Sequence, residues 1–428
     1  MNHYDILGLD LELENGKVEG KVTGTLSKYL QDYFNFYLTQ LNKNKVLAVK
    51  NGGNVYTLFL PPIPGKAAIE DITRKLLRKA FKRTVPSTCT LSTINTCQAD
   101  CLHCSAAQSM KQTKKALSNE EFKNVIDQAI ELGVVNITLT GGEPLLRKDL
   151  FELIHYVDKE KTICPMFTNG EFLTEANVKK LDEAGIFSVM VSLDSPDAKE
   201  HDEMRRRPGL FNKAIEGIKR MLDRGMLVGI STYASQENIA DGKLEKLLYL
   251  GKDLKVHELV IFDAVPTGRF IDKKDCMLTD SDREKIRKIT EEWRTNPDLP
   301  NITAMSWVNS PQGSGCFGAN EQFYMTAWGD ITPCDFTPLA FGNIREESLQ
   351  TIWMRMLSHP AYSTPHQKCR MQDPDFRKQY IDCMPAGADL PIELWKDENA
   401  FKESDNGFKP SDSAKKSSIP LTIRTSGF

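Results

Sequence analysis

The feature that most constrains the fold is a regular alternation of apolar and amphipathic segments between residues 89 and 265. Each apolar segment is long enough for one strand, and stretches of roughly 10–15 residues with helical spacing separate them. The six apolar segments are CTLSTIN, VNITLTGG, TICPMFTNG, SVMVSLDS, LVGISTYA and ELVIFDAV. One intervening helix has a capping box at Ser118 and Glu121 and ends at Gly133. The alternation predicts βαβ units around a parallel sheet, either open and doubly wound or closed into an incomplete barrel.

Polar and small residues follow these predicted strands. In both architectures ligands bind at the carboxyl ends of the strands. The segments found there are the cysteine cluster CQADCLHC (97–104), GGEP (141–144), TNG (168–170), SLDS (192–195) and PTGR (266–269). The sequence therefore predicts a cofactor site at one edge of the sheet.

Three cysteines lie within eight residues at Cys97, Cys101 and Cys104. Structural zinc needs four ligands, and only His103 is at hand as a fourth. A disulfide leaves one thiol unpaired and does not suit a reducing compartment, whereas three small core cysteines at this density are improbable. A [4Fe–4S] cluster with three thiolate ligands and one open iron is the interpretation that we favour, since an open iron suits an enzyme.

These motifs resemble the radical S-adenosylmethionine (radical SAM) enzymes. The C-x3-C-x2-C signature of that family follows the first strand, and its GGEP turn follows the second, as Cys97 and Gly141 do here. The resemblance covers residues 85–270 and implies a partial (βα)6 TIM-type barrel. It also implies that SAM binds the open iron and is cleaved reductively to a 5′-deoxyadenosyl radical, which takes hydrogen from a substrate. The family usually has an aromatic residue where this chain has His103.

The same resemblance implies the residues that contact SAM. The GGEP turn and the polar strand ends match family positions around the SAM amino, carboxylate and ribose groups. The predicted contacts are Gly141, Gly142, Glu143, Pro144, Asn169, Ser192, Asp194 and Arg205. No acid or base that acts on the substrate is evident from the sequence.

A second group of cysteines follows the barrel. Residues 316–334 resemble the start of the SPASM/twitch extension, with a glycine at Gly329 between two cysteines. The complete SPASM pattern needs a further C-x2-C-x5-C-x3-C run, which this chain lacks. We expect one auxiliary [4Fe–4S] cluster, so that the enzyme has two. The predicted auxiliary ligands are Cys316, Cys334, Cys369 and Cys383.

The sequence also predicts an order of domains and a cellular location. The segments are a small α/β domain (1–82), the radical SAM barrel (83–270), a connector (271–312), the SPASM/twitch-like domain (313–396) and a flexible tail (397–428). A net charge of −3 gives no indication of nucleic-acid binding, and no apolar run has transmembrane length. Without a signal peptide, we expect a cytoplasmic protein, served by a flavodoxin- or ferredoxin-type electron donor.

Three functions are compatible with this organisation. The auxiliary extension and the amino-terminal domain favour modification of a peptide or protein, as in maturases. A radical SAM enzyme acting on a small molecule, a cofactor precursor or a lipid is the alternative, and a non-catalytic iron–sulfur electron carrier is the third. The sequence identifies neither the substrate nor the atom that loses hydrogen.

Overall fold

The computed structural model describes residues 6–81, 84–107, 113–310, 313–385 and 387–396. Within these residues the dominant feature is one mixed sheet, whose strands follow the order β11-β10-β9-β8-β7-β6-β5-β12-β13-β15. Its strands in that order are Asn301–Ala304 (β11), Glu258–Asp263 (β10), Leu227–Ala234 (β9), Ser188–Ser192 (β8), Pro165–Thr168 (β7), Asn136–Thr140 (β6), Thr88–Ser92 (β5), Gln322–Met325 (β12), Asp330–Thr332 (β13) and Gly342–Asn343 (β15). The six predicted strands, β5 to β10, lie side by side and parallel, which confirms the partial barrel.

Smaller sheets and helices complete the fold. The other strands are Gly8–Glu14 (β1), Lys17–Thr23 (β2), Ala48–Lys50 (β3), Gly53–Val55 (β4), Leu339–Ala340 (β14) and Ile392–Glu393 (β16). The helices are Ser27–Leu41 (α1), Lys66–Phe81 (α2), Asn119–Leu132 (α3), Leu150–Tyr156 (α4), Glu175–Glu183 (α5), Ala198–Arg205 (α6), Leu210–Asp223 (α7), Gln236–Ala240 (α8), Lys243–Asp253 (α9), Asp280–Thr295 (α10), Met305–Val308 (α11), Leu349–Ser358 (α12) and Pro374–Tyr380 (α13). None of the helices described is long and apolar enough to cross a membrane.

Local signals explain where the barrel elements begin and end. Helix α3 starts at the predicted capping box, in which the Ser118 hydroxyl accepts from the Glu121 amide, and it ends at Gly133 in a left-handed conformation. Strands β6 and β8 are almost wholly buried, as expected for strands covered on both faces. The helices bury one apolar face each against them, which forms a continuous core.

The parallel sheet extends beyond the six predicted strands. The segment expected to be a connector contains α10 and β11, and β11 adds to the sheet beside β10 in parallel. At the opposite edge β12, from the carboxyl-terminal cysteine region, pairs in parallel with β5. The second cysteine region is therefore built onto the edge strand from which the first cysteine loop departs.

The amino-terminal segment, predicted as a small α/β domain, forms two hairpins and the helix α1. Its polar contacts with the barrel include a half-buried lysine, Lys45, and a buried carboxylate, Glu258. The Lys45 ammonium donates to four carbonyl oxygens in the last turn of α10 and in the segment between α10 and β11, at 2.5 to 3.0 Å. The fully buried Glu258 carboxylate accepts from the Thr57 hydroxyl and from the Leu58 amide, the latter at 2.6 Å. These contacts fix the segment to the amino-terminal end of β10. The predicted tail, 397–428, lies outside the described residues.

Candidate functional site

The loop that carries the first three cysteines is held by backbone hydrogen bonds from two directions. The GGEP turn donates from the Gly142 amide to the Ile94 carbonyl at 2.7 Å and from the Glu143 amide to the Thr96 carbonyl at 2.9 Å. From the other side, the Leu102 amide donates to a carbonyl at the end of α6, at 2.8 Å. The loop is therefore positioned by the ends of two different βα units.

The two glycines are required by this close approach. A β-carbon on Gly141 would lie 2.4 Å from the Ile94 carbonyl oxygen, and one on Gly142 would lie 2.1 Å from the Thr96 carbonyl oxygen. Both distances are shorter than any van der Waals contact. In this structure the glycines let the turn pack against the cysteine loop, whereas their contact with SAM stays a prediction.

The three thiols share one partly buried environment. Burial, then the neighbouring Cys101, raises the pKa of the Cys104 thiol to about 12. Burial also raises the pKa of Cys97 and of Cys101, although the Arg205 guanidinium acts in the opposite direction on both. A bound cluster would take the place of the thiol protons. The three donors and the adjacent cation thus fit an anionic iron–sulfur cluster. Within the described residues, no three side chains of His, Cys, Asp or Glu converge on a single metal ion.

A buried ion pair lies beside this loop. The Arg205 Nε donates to an Asp194 carboxylate oxygen at 2.7 Å, and both side chains are more than nine-tenths buried. Burial alone would raise the pKa of Asp194, but the Arg205 guanidinium and His103 hold it at about 2. The pair joins the end of β8 to the end of α6, so two predicted SAM contacts bind each other here.

His103 belongs to the same network. Its Nε2 lies 3.3 Å from Asp194, and its ring stacks on Tyr233 with centroids 4.6 Å apart. Its Nδ1 is buried without a hydrogen-bond partner among the described residues. The side chain that departs from the family pattern therefore contacts residues at the carboxyl ends of two neighbouring strands, β8 and β9.

The Glu143 carboxylate connects the GGEP turn to the TNG turn. It is fully buried and accepts from the Thr168 hydroxyl at 2.7 Å and from the Asn169 amide at 2.9 Å. Pro144, beside it, starts a short 3-10 turn and is buried. Burial raises the pKa of Glu143. The residue is thus anchored by the protein itself, and its contact with a SAM ammonium group stays a prediction.

Two further predicted contacts point toward the same edge. The side-chain nitrogen of Asn169 lies 3.8 Å from the Cys97 sulfur, and the side-chain oxygen of Asn169 accepts from the Gln98 side chain at 3.1 Å. The Ser192 hydroxyl accepts from Ser231 on the neighbouring strand at 3.1 Å. Asn169 is therefore adjacent to the cysteine loop, whereas Ser192 lies on β8 beside β9.

Three of the four predicted auxiliary cysteines come together. Burial, then the charges of Cys316 and Cys334, raises the pKa of the buried Cys369 thiol well above its usual value. The Cys334 sulfur also lies 3.2 Å from the Thr337 hydroxyl.

Cys383 lies apart from this group. Its side chain is exposed, and its sulfur donates to the Gln379 carbonyl at 3.1 Å. Burial and then Asp382 raise the pKa of its thiol, and none of the three other cysteines acts on it. In this structure the predicted fourth ligand is not assembled with Cys316, Cys334 and Cys369.

A small cleft, open to solvent and with about 50 Å³ of accessible space, lies between the two cysteine-bearing segments. One wall follows Cys104 and the other contains Cys334. Its lining residues are Ser105, Ala106, Thr267, Gly268, Tyr324, Thr326, Thr332, Cys334, Asp335, Phe336, Thr337, Pro338, Leu390 and Pro391. Burial raises the pKa of the Asp335 carboxyl to about 6.

Sequence reasoning missed several of these residues. Tyr233 is the penultimate residue of a predicted strand, and its place near the carboxyl end of that strand is the signal that could have identified it. Asp335 directly follows a cysteine that was singled out, yet only the pairing of β12 with β5 brings it near Cys104. Gln98 lies inside the cysteine motif itself.

Two family models match the chain. The radical SAM superfamily model matches residues 91–248, and the iron–sulfur cluster-binding SPASM model matches residues 316–379. The matches cover both groups of cysteines except Cys383.

Relatives with assigned names cover a large part of the chain. The AdoMet-dependent heme synthase of Methanosarcina barkeri is 28% identical over 60% of this chain and 79% of its own length. The PqqA peptide cyclase of Rhizobium meliloti is 24% identical over 62% of this chain and 73% of its own.

Solved structures share the fold. Streptococcus suis SuiB bound to precursor peptide SuiA has a TM-score of 0.54 at 14% identity, covering 81% of this chain and 87% of SuiB. The structure of anSMEcpe with bound AdoMet has a TM-score of 0.52 at 19% identity, covering 67% of this chain and 84% of that one.

Proposed function

We propose that this chain, which is a radical SAM enzyme with a SPASM domain, modifies a peptide or protein substrate. Its cofactors are SAM and [4Fe–4S] clusters. The observation that carries the proposal is the cleft lined by Ser105, which follows Cys104, and by Cys334, because a substrate held there would lie beside both cysteine-bearing segments. The electron carrier without catalysis is set aside, because the family match is to enzymes that use SAM.

The residues around the first cysteine loop take defined roles in this proposal. Cys97, Cys101 and Cys104 hold the cluster to which SAM binds. Arg205, already beside the thiols and fixed by Asp194, attracts the SAM carboxylate. When bound, the cluster and SAM together supply one-electron chemistry that activates the substrate.

The auxiliary cluster is proposed to be held by Cys316, Cys334 and Cys369. Cys383 was the predicted fourth ligand, but it lies outside this group. Its position supports ligation of the fourth iron of the auxiliary cluster by a group other than these four cysteines. A cytosolic location and a flavodoxin- or ferredoxin-type donor stay predictions.

The chemistry of the cleft favours a peptide over a large macrocycle. A space of about 50 Å³ admits a small group such as the end of an amino-acid side chain, and six of the described lining residues carry hydroxyl groups. Heme carries carboxylate groups, and a site for them needs cations. The described lining residues include a carboxylate, Asp335, and no lysine or arginine. Peptide-modifying relatives, among them the PqqA peptide cyclase, support the same substrate class.

A tetrapyrrole substrate is the second candidate. It is favoured by the relatives named AdoMet-dependent heme synthase, three of which are 27% to 28% identical to this chain. Their matches extend over 60% to 63% of the chain. The two candidates differ in the charge and size that the cleft must accept, so they can be separated by experiment.

The test uses the full-length protein reconstituted anaerobically with iron and sulfide, then reduced with dithionite in the presence of SAM. We expect about eight iron atoms per chain, as two cubanes require, and formation of 5′-deoxyadenosine. Short peptides encoded near the gene and Fe-coproporphyrin III are then supplied in parallel, and products are identified by mass spectrometry. A mass change in a peptide supports the proposal.

The matched control replaces Cys97, Cys101 and Cys104 by alanine together. This variant should lose 5′-deoxyadenosine formation and retain the auxiliary-cluster spectrum. Conversion of the porphyrin without any change in the peptides would overturn the peptide assignment. Absence of 5′-deoxyadenosine from the fully reconstituted wild type would overturn the proposed use of the first cysteine loop.

A further inference from the structure

We propose that the cleft between the two groups of cysteines binds a cationic group of the substrate, an ammonium or a guanidinium, against the Asp335 carboxylate. The inference rests on the proposed function, because it assigns the chemical class of the group that enters the same cleft. Three observations carry it. They are the charge of the lining residues, the hydrogen bonds that the hydroxyl groups of the wall already make, and the binding of the neighbouring arginines to other groups of the protein.

The first observation is the charge of the cleft. Asp335 is the charged residue among its described lining residues, and it stands next to the Cys334 thiol. The side chain is half-buried, and no ion pair is formed by it within the described part of the chain. A cation in the cleft would compensate the charge of this carboxylate.

The second observation is that the hydroxyl groups of the wall are mostly engaged with the protein. Thr267 donates to the Phe336 carbonyl at 2.7 Å, and Thr332 donates to the Cys334 carbonyl at 2.9 Å. The Thr326 hydroxyl accepts from the Asp330 amide at 3.0 Å. The hydrogen bond made by the Asp335 carboxylate is to its own backbone. Of the polar groups in the wall, this carboxylate has the largest remaining capacity to accept.

The third observation concerns two arginines, Arg269 and Arg377, that adjoin the lining segment Thr267–Gly268. Arg269, next to the lining residue Gly268, binds the side chain and the carbonyl of Asp100. Arg377 donates to the Pro266 carbonyl at 2.8 Å and to Asp382 at 2.9 Å. These cations are committed to backbone and carboxylate partners. The cation that balances Asp335 therefore has to come with the ligand.

A cationic ligand is favoured over a neutral one for a physical reason. A neutral hydroxyl or amide can hydrogen-bond to a carboxylate, but it leaves the negative charge uncompensated in a partly desolvated site. An ammonium or guanidinium group provides both the donors and the opposite charge. Hydrogen bonds to charged groups typically amount to a tenfold or larger difference in affinity.

The experiment measures binding to the reconstituted full-length protein by titration with matched probes. The probes are the N-acetyl methylamides of lysine, norleucine and glutamate, with n-butylammonium added to separate a peptide side chain from a free amine. We expect the lysine probe to bind at least about tenfold more tightly than the norleucine probe. The glutamate probe should bind most weakly. Tighter binding of the lysine probe than of n-butylammonium would identify a peptide source, and the reverse a small amine.

Two substitutions of Asp335 test the residue itself. Asp335→Asn keeps the shape and removes the charge, and it should reduce the lysine-to-norleucine ratio to about one, while Asp335→Glu should retain a preference for lysine. Asp253→Asn, at the exposed end of α9, removes the same charge away from the cleft and should leave the ratio as in the wild type. Iron content and circular dichroism verify that each variant is folded. If a variant loses its cluster, the relative affinities of the lysine, norleucine and glutamate probes for the wild type test the cation site.

A ratio near one in the wild type, equal binding of the glutamate probe, or an unchanged ratio in Asp335→Asn would each overturn the inference. These results are independent of the proposed function, since binding is measured without turnover. Failure of the probes with normal 5′-deoxyadenosine formation would refute the cation site alone. Loss of 5′-deoxyadenosine formation in the wild type, with the lysine preference intact, would refute only the proposed function.

Discussion

Replacing Asp194 by asparagine should destabilise the protein and weaken its affinity for SAM. The substitution keeps the shape of the side chain and removes the charge that faces Arg205 at 2.7 Å. The guanidinium would remain in a position that is more than nine-tenths buried, without its counter-ion. It would also be free to move away from the thiols of Cys97 and Cys101, on which its charge acts.

The magnitude follows from the proton affinity of the carboxyl group. Although burial by itself raises the pKa of Asp194, the Arg205 guanidinium and His103 hold it at about 2, against 3.8 for the unperturbed group. A tenfold change in proton affinity is worth about 1.4 kcal/mol, so the ionised form is favoured in the folded state by about 2 kcal/mol. Breaking one side of a buried ion pair costs about 3 to 5 kcal/mol. We therefore expect Asp194→Asn to lower the free energy of unfolding by about 2 to 5 kcal/mol.

The sign of the pH dependence is fixed by the lowered pKa. The contribution of Asp194 is complete above the pKa of the unfolded group and is lost as the pH falls toward about 2. The difference between wild type and variant should therefore be constant from about pH 5 to pH 8. If the difference in the free energy of unfolding changed with pH across this range, a group other than Asp194 would be responsible for it.

The assay is urea unfolding of wild type, Asp194→Asn, Arg205→Gln and the double variant, followed by equilibrium dialysis of SAM with the reconstituted proteins. Asp223→Asn is the control, because it removes the same charge at an exposed site at the end of α7 and should cost less than about 0.5 kcal/mol. The cycle should give a coupling of about 2 kcal/mol between Asp194 and Arg205. Additive single effects, or an Asp194→Asn cost equal to that of the control, would refute the argument.

Three other substitutions test the loop, the auxiliary site and the attachment of the amino-terminal segment. Gly142→Ala should lose the first cluster, because its β-carbon would meet the Thr96 carbonyl oxygen at 2.1 Å. The control Gly225→Ala meets no atom within 4 Å and should cost only about 1 to 2 kcal/mol of backbone strain. Iron analysis measures the cluster, and urea unfolding measures the stability of both variants. Cys369→Ala should abolish the auxiliary-cluster spectrum, whereas exposed Cys383→Ala should leave it intact; equal losses would place Cys383 among the ligands. Lys45→Met should lower the free energy of unfolding by about 1 to 3 kcal/mol, since four carbonyl oxygens lose their donor. The exposed Lys43→Met should leave it within about 0.5 kcal/mol, and equal effects would refute a special role for Lys45.

The barrel could be predicted from the sequence because its signals are local. The apolar runs of β6 and β8 and the capping box at Ser118 are patterns of neighbouring residues, and the structure reproduces them. The cysteine motif that begins at Cys97 and the turn that begins at Gly141 could also be recognised, because each consists of a few consecutive residues. The cysteine loop and the GGEP turn lie side by side because they follow two neighbouring parallel strands, β5 and β6.

The edges of the sheet were less predictable. Strand β11 has four residues and lies in a segment that reads as polar, and β12 has four residues inside the second cysteine region. Short strands have little periodicity of their own. Their partners, β10 and β5, lie about forty and more than two hundred residues away, so pairing depends on the whole fold.

The sequence by itself determined the chemistry that the chain can carry: two groups of cysteines, the turns that follow parallel strands, and the helices between them. Only the tertiary structure decided which of these residues share a site. It paired Asp194 with Arg205, left Cys383 outside the auxiliary group, and placed Asp335 within a cleft that begins at Ser105. The physical reason is that helices and turns are stabilised by neighbours along the chain, whereas charge pairing and burial are settled between segments that only the folded sheet brings together.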